Sequence, residues 1–251
     1  MEKVSVVIAA GGKGTRMGAG ENKVFMKLRG KEILLHTVEA FHKNPDIDEI
    51  VVVAGEGEYM RVTEMIMQAE LFSKENSQGV EPCAPSADLI RNTHKLRAVT
   101  TGGATRRESV YNGIRFTTGD IILIHDAARC LISQEEISAS VNAAREYGAA
   151  AVGVPCKDTL KSADADGFIT GTVDREKTFL IQTPQAFKRD IIRSAHDWAT
   201  ENNIDATDDC ALVEMRGGRI KIIKGRYDNI KITTPDDIEI AEKILEKRAD
   251  K

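Results

Sequence analysis

Short apolar runs alternate with longer amphipathic stretches along most of the chain. The runs are rich in valine, isoleucine and alanine, which is typical of strands buried on both faces of a parallel sheet. They predict strands at Val4 to Ala9, Ile50 to Ala54, Leu96 to Thr100, Ile121 to His125, Ala149 to Val154 and Ile220 to Ile223.

The stretches between these runs repeat their apolar residues at helical spacing. The last of the predicted helices has Thr234 as its N-cap and Pro235 in its first position. Alternation of strands and helices predicts an α/β fold, a mostly parallel sheet with helices on both faces. The predicted helices are Ile33 to Lys43, Glu58 to Ala69, Arg107 to Arg115, Gln134 to Tyr147, Lys188 to Asn202 and Pro235 to Lys247.

Two segments break the alternation. Residues 72–91 contain Pro82, Pro85 and mixed charges, and predict a surface excursion to which we assign no function. Residues 157–178 predict a projecting β-hairpin arm, with Gly167 at its turn and Phe168 and Ile169 in its strands. A projecting hairpin cannot bury its own apolar face, so we expect this arm to pack on a second copy of the chain and form a homodimer.

Composition narrows the class of protein. The 251 residues, 41% of them hydrophobic, predict a single domain over residues 1–251. The net charge of -4 favours neither nucleic acid nor an anionic membrane as a partner. Any phosphate ligand must therefore be held by a local cluster of cations.

The sequence also suggests a cellular location. We identify neither a membrane-spanning apolar stretch nor a cleavable leader, and we therefore expect a cytoplasmic protein. Four cysteines are scattered without paired spacing, which argues against zinc or a disulfide framework and favours reduced thiols. They are Cys83, Cys130, Cys156 and Cys210.

A glycine-rich stretch, Ala9 to Gly18, directly follows the first predicted strand. Glycines allow several backbone amides to converge on one anion, and Arg16 and Lys23 add positive charge. The stretch lacks the Gly-Lys-Ser/Thr ending of a Walker loop, and Met17 stands where a dinucleotide fingerprint needs its third glycine. We interpret it as a triphosphate-binding loop; a glycine turn without a ligand is the alternative.

Three further clusters carry candidate chemistry. Thr101 to Ser109 is a second glycine turn before a helix, and the Ser109 hydroxyl is a candidate contact for a ribose or base. Asp126 directly follows a predicted strand and is our candidate magnesium ligand; a loop cap or a pair with Arg129 is the alternative. Lys231 lies in an apolar segment before the last helix and is a candidate phosphate ligand, or else a lysine reaching to the surface.

Together these clusters resemble the 2-C-methyl-D-erythritol 4-phosphate cytidylyltransferase family, within the wider group of sugar nucleotidyltransferases. The resemblance covers nearly the whole chain and implies a Rossmann-like fold. The motifs that carry it are Ala-Gly-Gly-Lys-Gly-Thr-Arg-Met-Gly at residues 10–18, Asn22-Lys23, Gly102-Gly103 with Arg107-Glu108-Ser109, His125 to Arg129, Asp158-Thr159, Thr172 to Arg175, Gln182 to Gln185, Thr207 to Asp209 and Asp228 to Lys231.

The resemblance implies an activity and a set of site residues. CTP and the sugar-alcohol phosphate methylerythritol phosphate would give the cytidine diphosphate sugar alcohol and pyrophosphate, in non-mevalonate isoprenoid biosynthesis. Arg16, Lys23 and Lys231 would be catalytic, and Asp126 would bind Mg²⁺. Nucleotide contacts would come from Ala10, Gly11, Gly12, Gly14, Gly103, Ser109, Ala127 and Arg129, and substrate contacts from Thr159 and Arg175 on the arm and from Thr183.

Some positions depart from the family pattern, and rival functions stay open. Asn22 stands where many relatives have proline, and Cys130 follows Arg129 where proline is usual. A ribitol 5-phosphate cytidylyltransferase would share the CTP site and differ in the arm, where the Asp174-Arg175 pair argues against it. A nicotinamide-dependent oxidoreductase and a non-catalytic nucleotide-binding subunit are more distant alternatives.

Overall fold

A seven-stranded sheet forms the centre of the structure, a computed structural model that describes residues 2–12, 22–69 and 95–249. The excursion predicted at 72–91 lies outside the described residues. In chain order the strands are β1 Val4–Ala9, β2 Lys27–Leu28, β3 Lys31–Glu32, β4 Glu49–Ala54, β5 Leu96–Thr101, β6 Ile121–Asp126, β7 Ala149–Pro155, β8 Lys161–Ala163, β9 Ile169–Thr172, β10 Phe179–Lys188 and β11 Lys221–Lys224.

The central sheet has the strand order β11-β7-β10-β6-β1-β4-β5. All its neighbouring strands pair in parallel except β10, which runs antiparallel between β6 and β7. The α/β class and the mostly parallel sheet are therefore confirmed. The sequence missed β10, because polar residues and a proline interrupt its apolar run.

Helices cover both faces of the sheet. Along β1, side chains alternate between the faces, with Val6 and Ile8 on one side and Val7 on the other. Buried residues of α1, α2 and α4 pack on the first face and those of α3, α5 and α6 on the second. The described helices are α1 Ile33–Lys43, α2 Tyr59–Gln68, α3 Arg106–Ile114, α4 Gln134–Tyr147, α5 Arg189–Glu201, α6 Asp209–Met215 and α7 Pro235–Ala249.

Local signals fix where several of these helices begin and end. Helix α4 starts with a capping box between Ser133 and Glu136 and is ended by the C-cap Gly148, whose φ is 86°. Helix α7 begins at Pro235 as predicted, but the Thr234 hydroxyl donates to the Asp237 carboxylate (3.0 Å) instead of accepting an amide. None of the helices among the described residues is long and apolar enough to cross a membrane.

The predicted arm is present as the hairpin β8–β9. At its turn, the Asp164 carboxylate accepts amide hydrogens from Asp166 and Phe168, and Gly167 takes a φ of 86°. Phe168 is 72% exposed and Ile169 67% exposed, so the arm shows its apolar side chains to solvent within this one chain.

Candidate active site

A cavity of about 680 Å³ opens where β1, β4, β5 and β6 end. Ligands of open α/β sheets bind at this carboxyl edge. The lining residues come from both glycine turns, the start of α2, the start of α3 and the segment before α7; they are Ala9 to Gly12, Asn22 to Val24, Gly55 to Glu58, Gly102 to Arg106, Ser109, Asp126, Ala128, Lys231 and Thr233.

The first glycine turn enters the cavity from β1. Ala10 donates its amide hydrogen to the Val53 carbonyl (2.8 Å), which keeps the chain in line with the sheet. A Cβ on Gly11 would lie 3.3 Å from the Gly55 Cα. The segments that follow β1 and β4 therefore come this close because both residues lack a side chain. The predicted contacts Gly14 and Arg16 lie outside the described residues. Lys23 lines the cavity as the first residue of a short 3-10 helix, Lys23–Phe25.

The second glycine turn is held by the first residues of α3. The Ser109 hydroxyl accepts the Gly103 amide hydrogen (3.0 Å) and donates to the Thr105 carbonyl (2.8 Å). The Glu108 carboxylate accepts the Ala104 amide hydrogen at 2.8 Å. A Cβ on Gly103 would lie 2.4 Å from the Glu108 Cβ, so glycine is required at this position. Ser109 thus fixes the turn and also faces the cavity.

Asp126 lies between two cations on the cavity wall. The Lys231 Nζ is 2.6 Å from one carboxylate oxygen, and an Arg106 Nη lies 3.6 Å from the other. Burial alone raises the pKa of Asp126, but Lys231 and Arg106 outweigh it and lower the pKa to about 2. Asp126 is therefore a carboxylate at neutral pH, as a magnesium ligand must be.

Lys231 is positioned by hydrogen bonds on both sides of it. Arg129 donates from a guanidinium nitrogen to the Asn229 carbonyl (2.8 Å), and Ile232 donates its amide hydrogen to the Ala128 carbonyl (2.9 Å). These bonds fasten the segment before α7 to the loop after β6. The side chain of Lys231 is 39% exposed, and its ammonium pairs with Asp126 on the cavity wall.

The buried side chain of His125 is linked to the Asp126 backbone through the Thr183 hydroxyl. The Thr183 hydroxyl accepts the Asp126 amide hydrogen (3.1 Å) and so donates to His125 Nδ1 (3.1 Å), while His125 Nε2 donates to the Arg129 carbonyl (3.1 Å). Burial lowers the pKa of His125 to about 4, so the ring is neutral. His125 is therefore a packed, hydrogen-bonded side chain.

Several predicted contacts lie away from the cavity. The Thr183 hydroxyl is engaged within the protein, and among the described residues the cavity wall includes neither Ala127 nor Arg129. Arg129 fastens the Lys231 segment, as described above. Thr159 and Arg175 are exposed on the arm, where Arg175 donates to the Lys157 carbonyl (3.2 Å). They do not line the cavity of their own chain.

Arg106 is the main site residue that sequence reasoning missed. Its guanidinium lies 2.7 Å from the Asp209 carboxylate and faces Asp126. Asp209 is fully buried and also accepts a hydrogen bond from His196 (3.0 Å). Asp209 follows Arg106 by 103 positions, so no local pattern could have joined them.

Cys130, which departs from the family pattern, is buried. It is 6% exposed, and burial raises the pKa of its thiol to about 12. The thiol is therefore protonated and shielded at neutral pH, and we assign it no part in the site.

Glycine turns, a paired carboxylate and cations at the carboxyl edge of a mostly parallel sheet define a nucleotide-binding α/β protein of the nucleotidyltransferase class. A family model described as IspD, 2-C-methyl-D-erythritol 4-phosphate cytidylyltransferase, matches residues 4–247. The chain belongs to this family.

Individual relatives and solved structures agree with that assignment. The enzyme of that name from Desulforamulus reducens is 40% identical over 99% of this chain and 98% of its own length. That from Clostridium acetobutylicum is 38% identical over 97% of both chains. The crystal structure of 4-diphosphocytidyl-2C-methyl-D-erythritol synthase from Anaerococcus prevotii has a TM-score of 0.79 and 25% identity, covering 98% of this chain and 96% of its own. The cytidylyltransferase from Thermus thermophilus has a TM-score of 0.71 and 28% identity, covering 98% and 100%.

Proposed function

We propose that this chain joins CTP and 2-C-methyl-D-erythritol 4-phosphate to give 4-diphosphocytidyl-2-C-methyl-D-erythritol and pyrophosphate, in isoprenoid biosynthesis. The observation that carries the proposal is the family match over nearly the whole chain, with Lys23, Asp126 and Lys231 lining one cavity. A cytoplasmic location, where CTP is made, is part of the proposal.

The reaction requires two polyanions to meet. At about 4 Å two unit charges repel by roughly 4 kcal/mol at an effective dielectric constant near 20, so cations must offset the repulsion. A phosphate oxygen of the sugar alcohol attacks the α-phosphorus of CTP, and pyrophosphate leaves. That phosphate is ionised near neutral pH, so no general base is needed, which agrees with a neutral, buried His125.

The residues of the cavity act by alignment and by stabilising charge. Lys23 and Lys231 line it directly, and Arg16 joins them in our proposal. The flanking bonds fix the backbone of Lys231, and Asp126 holds its ammonium on the cavity wall at 2.6 Å, so the cation is already in place beside an incoming phosphate. Preorganised cations of this kind stabilise the transition state more than flexible ones.

We further propose that Asp126 holds a magnesium ion. Among the described residues no group of three His, Cys, Asp or Glu side chains is arranged to hold a metal ion. A single ionised carboxylate nevertheless fits Mg²⁺, which takes one or two carboxylates and completes its ligands with water and substrate phosphates. When bound, the ion would neutralise charge on the triphosphate.

The acceptor site is proposed to form between two copies of the chain. Thr159 and Arg175 lie on the arm, which exposes Phe168 and Ile169, and a second copy would cover these apolar side chains. Arg175 would then reach the sugar phosphate in the partner's cavity. In this arrangement the two arm residues contact the substrate bound in the partner's cavity, whereas they do not line the cavity of their own chain.

Pyrophosphate release tests the function. The purified protein is offered each of the four nucleoside triphosphates with Mg²⁺, and methylerythritol phosphate or ribitol phosphate as acceptor. We expect release with CTP and methylerythritol phosphate alone. Equal turnover with ribitol phosphate would support the rival cytidylyltransferase, and release with no pair would contradict the proposal.

A further inference from the structure

Asn22, directly before Lys23, is almost fully buried and uses its amide in three directions. It is 6% exposed. Its Nδ2 donates to the Ala10 carbonyl (2.8 Å) and to the Glu58 carboxylate (2.7 Å), and its Oδ1 accepts the Val24 amide hydrogen (3.3 Å). The opposite orientation of the amide would set oxygen against two acceptors, so the hydrogen bonds define the orientation.

The three partners belong to different parts of the cavity wall. Ala10 directly follows β1 and is itself bonded to the Val53 carbonyl at 2.8 Å. Glu58 directly precedes α2 and donates its amide hydrogen to the Gly55 carbonyl at 3.1 Å. Val24 lies in the 3-10 helix that starts at Lys23. The side chain of Asn22 thus joins the Lys23 turn to the central sheet and to α2.

Glu58 is otherwise out of place in a cavity for polyanions. Its carboxylate lines the wall, where a negative charge would repel phosphate. A Cβ on Gly55 would lie 2.3 Å from the Glu58 Oε2, so glycine leaves the space that this carboxylate occupies beside Asn22. The geometry therefore gives Glu58 a use as a hydrogen-bond acceptor.

We propose that Asn22 is a positioning residue, which Glu58 anchors, and that the pair sets the place of Lys23 against the polyphosphate. The inference rests on the proposed function for the identity of that ligand. A lysine side chain is long and flexible, so its ammonium meets a phosphate reproducibly only where its backbone is fixed. The hydrogen bonds of the Asn22 side chain to Ala10, Glu58 and Val24 fix the backbone on either side of Lys23.

A double-mutant cycle on turnover tests the proposal. Asn22→Ala lowers kcat/KM by about tenfold, and the same change made in a Lys23→Ala background has little further effect, because its action passes through Lys23. Glu58→Ala reproduces part of the loss, and Glu58→Gln restores most of it, since the glutamine oxygen still accepts the hydrogen bond. Glu64→Ala, an exposed carboxylate change on the same helix, keeps wild-type activity.

Binding of inorganic pyrophosphate gives a readout that needs no turnover. Calorimetry on the same variants should show a several-fold weaker Kd for Asn22→Ala, again only while Lys23 is present, with each variant folded by circular dichroism. Independent, multiplying effects of Asn22→Ala and Lys23→Ala, or an unchanged pyrophosphate Kd, would overturn the inference. A wild-type protein that binds pyrophosphate but leaves CTP and methylerythritol phosphate unreacted would refute the proposed function instead, and the binding cycle would still decide the role of Asn22.

Discussion

At the scale of single residues, Lys23 offers the most direct test of the charge argument. Lys23→Ala removes one preorganised cation from the cavity, so we expect the barrier to rise by about 3 kcal/mol, on the order of a hundredfold in kcat. Lys27→Ala is the matched control, because Lys27 is exposed on β2 and pairs with Glu32 only at 3.8 Å. Near-normal turnover by a folded Lys23→Ala protein would contradict the mechanism.

The pair of Arg106 and Asp209 makes a prediction about stability. The carboxylate of Asp209 is fully buried and touches both Arg106 and His196, so Arg106→Gln leaves a buried charge without its main partner. We expect Arg106→Gln and Asp209→Asn each to cost about 3 kcal/mol in the free energy of unfolding. Urea denaturation measures both.

The double variant distinguishes a coupled pair from two separate sites. Because each single change already removes the Arg106–Asp209 contact, we expect the double variant to lose less than the sum of the two losses. Additive losses would show that the two side chains act separately.

The same residues show how far sequence reasoning reaches at this scale. Asp126 and Lys231 were both predicted as site residues, because each directly follows or lies in an apolar segment. Their direct contact at 2.6 Å was not predicted, nor was the position of the Arg106 guanidinium beside Asp126. Such pairings depend on which strands lie side by side, and that information is spread over the whole chain.

At the scale of elements, most strands and helices follow the apolar pattern to within two residues, whereas β10 does not. Residues 185–188 of β10 lie between β6 and β7, and Gln182, Thr183 and Gln185 are buried and hydrogen-bonded. Gln185 accepts the amide hydrogens of Asp209 and Cys210 at the start of α6. Buried polar residues with distant partners break the alternation that predicts a strand.

Glu49, at the start of β4, joins three segments and makes stability depend on pH. Its carboxylate is bonded to Lys3 (2.6 Å), Ser5 (2.7 Å) and Thr118 (2.6 Å). Burial alone raises the pKa of Glu49, but these hydrogen bonds lower it to about 2 from the ordinary 4.5. The ionised form therefore stabilises the fold above about pH 4.5, and this contribution is lost as the pH falls towards 2.

Glu49→Gln tests that dependence. At pH 7 we expect the variant to lose about 2 kcal/mol of the free energy of unfolding. Its donors would then face a neutral amide instead of a charged carboxylate, and hydrogen bonds to a neutral acceptor are weaker. At pH 3 the difference from wild type should shrink, since part of the wild-type carboxylate is then protonated on unfolding. Urea midpoints at the two pH values measure it, and a difference that is equal at both would contradict the assignment.

At the scale of the whole molecule, the arm is the element through which we expect two chains to form the dimer and complete the acceptor site. Phe168 and Ile169 lie in the arm, and Phe179 to Ile181 expose further apolar surface at the start of β10. A Phe168→Glu change places a charge in the proposed contact between copies. We expect wild-type protein to sediment as a dimer and this variant to shift towards monomer, with a higher KM for the sugar phosphate.

A mixture of two inactive variants tests whether Arg175 acts across the dimer. Lys23→Ala spoils the cavity and leaves the arm intact, whereas Arg175→Ala does the opposite. If the arm serves the partner's cavity, each mixed dimer contains one site built from an intact cavity and an intact arm. Random pairing of co-expressed chains then restores about a quarter of wild-type activity. An arm that served its own chain would restore nothing, because every site would then carry one of the two lesions.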